Sequence, residues 1–307
     1  MDKRQLQIIG AFAAVYIVWG ATYLAIRIAV ETIPPFLMAG TRFMTAGLVL
    51  HAVLRASGVP APTRIHWRSA FIIGGLLLFG GNGGLTWAEQ YVTSSLAAVL
   101  VATIPLWVAI YEWLQGKYPG HTAVAGLIIG FGGITYLINP FHMDGDSNLF
   151  AMLVILVAAS IWAYGTVYAR QAPLPKSAFM SVSMEMISGG ALLLILSGLT
   201  GDFATFQPNS VSLESLAGLG FLIVFGSIIA FTAFFWLIKE VGPSKATTNA
   251  YVNPVVAVFL GWSIGSEPLT ANIIIGATLT ISAVVLMTMP ANMLKWSRPL
   301  VPVAKSS

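Results

Sequence analysis

The chain has 307 residues and a net charge of +4, with 57% hydrophobic and only 8% charged residues. A soluble domain averages about 25% charged residues, so a mean hydropathy of +0.84 points to lipid as the natural solvent. Lys and Arg fall in short loops rather than on one basic face, so nucleic acid is not an expected partner; with no cysteine, disulfides, thiol catalysis and thiolate metal sites are excluded.

Lys3 and Arg4 precede the first apolar run, as in a signal peptide. The run continues past Val30 without a small-residue cleavage site and exceeds a signal core, so it is expected to remain as a span. A bilayer core is crossed by roughly 20 apolar residues in a helix. On that measure ten spans are predicted, over 8–27, 35–54, 67–88, 93–114, 121–139, 148–168, 178–199, 213–238, 246–265 and 271–290. Turn residues such as Pro34-Pro35, Asp144-Gly145-Asp146 and Gly242-Pro243 mark the connections. Residues 291–307 form a polar tail.

The charges test this count. With a cytoplasmic N-terminus, every Lys and Arg except Arg27 and Arg42 lies on the cytoplasmic side, while the opposite loops carry Glu31, Asp144, Asp146, Asp202, Glu214 and Glu267. The positive-inside rule then predicts both termini, and the tail, in the cytoplasm. One missed span would move all later loops to the other side and spoil the bias.

The chain also repeats itself. Ser95, Ala97, Pro105, Trp113, Gly116 and Pro119 recur as Ser244, Ala246, Pro254, Trp262, Gly265 and Pro268, each at an offset of 149 residues. Earlier in each half, Trp19 matches Trp162, Arg27 matches Arg170 and Gly47 matches Gly190 at an offset of 143. The predicted fold class is therefore an all-α integral membrane protein of ten transmembrane helices. Its two five-helix repeats cover 8–139 and 148–290. An odd number of helices per repeat places the copies upside down relative to each other, the arrangement of secondary transporters with a midplane site.

The motifs Trp19-Gly20-Ala21-Thr22-Tyr23, Ala39-Gly40-Thr41-Arg42-Phe43 and Ala250-Tyr251-Val252-Asn253-Pro254-Val255-Val256 resemble the EamA family of the drug/metabolite transporter superfamily, and within it bacterial inner-membrane exporters. The resemblance spans nearly the whole chain. It implies export of small metabolites, amino acids among them, with helices 1–4 and 6–9 around a cavity and helices 5 and 10 outside. The implied setting is the bacterial inner membrane, with a small-molecule substrate, the lipid bilayer as the other partner, and a monomer as the expected state.

Arg42 and Glu185 stand at equivalent repeat positions inside spans, where a charge costs at least about 2.5 kcal/mol on insertion scales. Either they bind the carboxylate and amine of a zwitterion, or Glu185 carries a coupling proton, or both serve folding through carbonyls and hydroxyls. Asn82, within Gly80-Gly81-Asn82-Gly83-Gly84, presents an amide to a cavity or belongs to a helix-packing seam. Glu89 and Gln90 are expected as solvated rim residues. Pro105 and Pro254 lie mid-span and kink their helices, as moving hinges or as static bends. Asn249 and Asn253 share a helical face, flanked by Thr248 and Tyr251; that face binds ligand or a neighbouring helix. Trp19 and Trp162 lie deep enough to wall a cavity, accompanied by Tyr23 and Tyr168, and Arg27 and Arg170 are expected to snorkel to headgroups. No catalytic, phosphate-binding or metal-ligand motif is present, so no cofactor is expected. The alternatives to a transporter are a membrane-embedded enzyme on lipid-linked substrates and a passive channel.

Overall fold

The computed structural model describes residues 2–116, 120–138, 148–241 and 249–288. Among them, seven helices are long and apolar enough to cross a membrane: α1 Lys3–Ala29, α2 Pro35–Ala56, α3 Arg64–Ala88, α4 Ser94–Leu114, α6 Leu149–Ala169, α7 Ala178–Leu199 and α8 Leu213–Leu237. Three shorter apolar helices complete ten: α5 His121–Ile138, α9 Asn249–Ser263 and α10 Ala271–Thr288. Their ends agree with the hydropathy reading to within a few residues. Large apolar side chains such as Leu48, Ile128, Val157, Ile195 and Phe259 stay exposed on the outside of the bundle. That is the pattern expected where the surrounding solvent is hydrocarbon rather than water.

Small residues draw helices together, because in lipid close van der Waals contact replaces the hydrophobic effect. The most extensive seam among the described helices joins α2 to α7. A Cβ on Gly47 would lie 2.8 Å from the backbone nitrogen of Ile187, and one on Gly190 would lie 2.6 Å from that of Met44. Gly40 likewise faces the Leu194 nitrogen at 3.0 Å. The partner number falls as the first rises, so the helices are antiparallel. At an offset of 143 residues Gly47 becomes Gly190 and Met44 becomes Ile187, so the first two contacts are one contact seen from either half. α5 and α10 pack antiparallel in the same way, through Gly126 on Met287, Gly130 on Ala283 and Gly276 on Leu137. Their other main contacts are with α4 and α9.

Four of the described spans depart from ideal helix. α1, α3 and α8 contain π-helical stretches, Ala14–Val18, Gly75–Asn82 and Leu222–Ile229. Those of α3 and α8 fall at overlapping positions of the two repeats. α4 is broken outright: Ser94–Val101 ends, Ala102 and Thr103 form a turn, and Ile104–Leu114 begins with Pro105 as its second residue. Pro105 therefore opens a half-helix, where its missing N–H costs nothing, instead of bending a continuous one. Its counterpart Pro254 lies inside the unbroken α9.

Candidate functional site

Trp19, Tyr23 and Arg27 recur every four residues and form one face of α1. The Trp19 Nε1–H donates to the Gly226 carbonyl at 3.1 Å, and its ring meets Phe231 and Phe234, each at 5.0 Å. The π-helical stretch of α8 explains this, since the wider turn displaces carbonyls from the α-helical ladder. Trp19 is thus anchored into α8, and Trp162 in the other half packs on Gly81. The glycine run of α3 is a packing seam: Gly80 meets Ile161, Gly83 meets Leu193 and Gly84 meets Ala158. Within it, the Asn82 side-chain oxygen accepts from the Thr86 hydroxyl at 3.3 Å.

Arg42 is buried where α1, α2 and α8 meet. Its Nε donates to the Ser227 hydroxyl at 3.0 Å, and its guanidinium carbon lies 4.6 Å from the centre of the Phe43 ring. Its Nη1 has no protein partner. Among the described residues no ion pair joins Arg42 to Glu185.

Glu89 corrects the expectation of a solvated rim residue. It follows Ala88 at the end of α3 with 1% of its surface exposed, and among the described residues neither carboxyl oxygen has a hydrogen-bond partner. The chain turns immediately afterwards, with Gln90 and Tyr91 bonded back to Trp87 and Ala88, and this turn directs Glu89 inward and Gln90 outward. Burial and the neighbouring Glu267 carboxylate push the Glu89 carboxyl well above the usual range, with Arg27 and Arg42 opposing. Tyr23 lies within the same electrostatic neighbourhood.

Arg27 and Arg170 do not snorkel freely. Arg27 Nη1 donates to the Val92 carbonyl at 2.6 Å, and Arg27 Nε lies 3.7 Å from Glu267 Oε1. Glu267 in turn accepts from the Ser94 and Ser95 amides at 2.7 and 3.0 Å, and from the Ser95 hydroxyl. One carboxylate so caps the positive end of α4 and holds the end of α1. It reaches there because the chain folds back after α9: Ser266 takes φ 53° and the Glu267 amide bonds the Gly261 carbonyl at 2.9 Å. Any side chain at Gly261 would drive its Cβ into Glu267 Oε2. Beside this latch is a cavity of about 280 Å³ lined by Arg27, Gln90, Tyr91, Thr93, Asn148 and Met152, among others.

Arg170, the repeat counterpart of Arg27, pairs with Glu112 on α4. Glu112 is the counterpart of Gly261 at the 149-residue offset. Both halves thus bring a carboxylate to an equivalent arginine, from different sequence positions. The second pair is much more exposed than the first.

Asn253 is buried on α9 with its Oδ1 unpartnered, and its carbonyl lies 3.2 Å from where a Gly20 Cβ would stand. Asn249 begins the same helix. Thr248 and the side chain of Tyr251 lie outside the described residues, as do the tail and the loops around Asp144 and Pro243. Sequence reasoning missed Glu89 and Glu267 as interior groups. Thr93-Ser94-Ser95 did signal a helix start that favours a carboxylate, but not which one supplies it.

A bundle of membrane helices holding buried charges, with broken and π-helical spans at its centre, defines a membrane transport protein. The chain belongs to the EamA-like transporter family, whose model matches twice, over 6–139 and 149–289. It is 41% identical over 288 residues to the uncharacterized inner membrane transporter YedA of Escherichia coli strain K12, covering 94% of this chain and 92% of that protein. It is 27% identical to the uncharacterized transporter YoaV of Bacillus subtilis, covering 87% and 91%. A solved crystal structure superposes with TM-score 0.62 at 21% identity, covering 95% of this chain and 99% of the other; at that identity the likeness is one of fold. Family and relatives point to a transporter rather than an enzyme.

Proposed function

We propose that this chain exports small organic metabolites, amino acids or related amphiphilic compounds, across the bacterial inner membrane by alternating access between two inverted repeats, with both termini in the cytoplasm. The observation that carries the reading is Arg42, a buried cation with an unpartnered donor at the meeting of α1, α2 and α8. Such a group inside a membrane bundle is costly unless it serves a ligand or pathway.

The two arginine–carboxylate pairs serve as gates. Arg27–Glu267 ties the ends of α1, α4 and α9 on the outer face, and Arg170–Glu112 ties α6 to α4 on the inner face. The outer pair is the more buried of the two, and in this form both pairs are made. The break at Ala102-Thr103 lets the two halves of α4 move separately as one gate opens and the other closes. Solute counterflow in proteoliposomes tests the proposal. Exchange stimulated by solute on the far side, and lost in Arg42→Ala, is expected. Flux without such stimulation identifies a channel instead, and unchanged exchange in a well-inserted Arg42→Ala removes Arg42 from the mechanism.

A further inference from the structure

We infer that the cavity beside Arg27 is a binding site for the headgroup of an anionic phospholipid, with the lipid phosphate on the Arg27 guanidinium. The cavity holds about 280 Å³ and is walled by the last turn of α1, the turn from α3 into α4 and the start of α6. Among the described residues that line it, Arg27 alone is charged. The side-chain oxygens of Thr93 and Asn148 in the wall already accept from the amides of Leu96 and Ala151. The cavity thus offers an anion one cation and no carboxylate.

Arg27 has donors to spare. Its Nη1 is taken by the Val92 carbonyl, but its Nη2 has no partner among the described residues. Its Nε stands 3.7 Å from Glu267 Oε1, beyond hydrogen-bond range, and that carboxylate is already held by two α4 amides and the Ser95 hydroxyl. With 36% of its side chain exposed, the guanidinium is open to a ligand. Its planar fork matches the oxygens of a phosphate.

The surroundings select a lipid over a free anion. All the walls are span ends, which lie at the headgroup layer. From Tyr91 in the lining, the rings of Trp87 and Phe150 follow outward at centre distances of 5.0 and 5.7 Å, as aromatic side chains gather at that layer. Phe150, Leu153 and Val157 then expose an apolar strip along one face of α6 toward the membrane interior. A lipid whose phosphate rests on Arg27 can lay its acyl chains on that strip. A zwitterionic headgroup would bring an ammonium for which the wall has no carboxylate, so phosphatidylglycerol fits and phosphatidylcholine does not.

Native mass spectrometry of the purified protein in a non-ionic detergent, titrated with either lipid on identical acyl chains, tests the site. A hydrogen bond to a charged group corresponds to about tenfold in affinity or more. The first phosphatidylglycerol should therefore bind about tenfold more tightly than the first phosphatidylcholine. Arg27→Gln should bring the two within about twofold. Glu267→Gln breaks the latch but keeps the arginine, so it should retain the preference; this separates a lost headgroup contact from a lost latch. Glycerol 3-phosphate in large excess should leave the lipid in place. Equal binding of the two lipids by wild type overturns the inference, as does a preference kept in folded Arg27→Gln or lost in folded Glu267→Gln. Displacement by glycerol 3-phosphate also overturns it, because the site would then take a free phosphate ester.

Discussion

Glu267→Ala should open the outer gate. The carboxylate is 5% exposed and accepts from two amides and one hydroxyl, besides facing Arg27. Leaving a buried donor unsatisfied costs about 1–3 kcal/mol, and removing one partner of a buried ion pair costs about 3–5 kcal/mol. These overlap rather than add, and Arg27 is itself partly exposed, so a total of about 3 kcal/mol is reasonable. If the latch exists only in the outward-closed form, that whole amount enters the conformational equilibrium and shifts it by about 100-fold. The chain has no cysteine, so a single reporter can be introduced cleanly. Ala97→Cys, fully buried on α4 one turn beyond the latch, suits a membrane-impermeant maleimide added from the outer face. Labelling should be slow with Glu267 present and roughly 100-fold faster without it. A fall in melting temperature with no change in labelling would refute the gate, because the lost energy would then belong to the fold alone.

Gly261→Ala should reproduce that labelling, since its Cβ would clash with both Glu267 Oε2 and Ser95 Oγ. Gly47→Ala should lower the melting temperature by overpacking of about 1–3 kcal/mol, as the atom it meets at 2.8 Å is backbone nitrogen that has no rotamer to yield. Trp19→Phe keeps an aromatic ring but removes the indole N–H that bonds the Gly226 carbonyl and part of the packing on Phe231 and Phe234, which should cost at least about 1–3 kcal/mol in chemical unfolding.

The amino-acid sequence by itself determined the ten helices, their ends, the repeated halves and the family. Each of these is written locally: an apolar run of one bilayer's length, a turn residue, a tryptophan or proline recurring at a constant offset. It also placed Arg42 at its depth, because depth follows from distance along a helix. The tertiary structure alone decided who meets whom. Arg42 bonds Ser227 on α8 and, among the described residues, makes no ion pair with its repeat partner Glu185; Pro105 starts a half-helix while Pro254 stays within a whole one. Glu267 folds back over Gly261 to cap a helix that begins 173 residues earlier. Hydropathy is a one-dimensional quantity that reports how far along the membrane normal a residue lies, whereas such meetings depend on the rotation of each helix and the order of helices around the bundle.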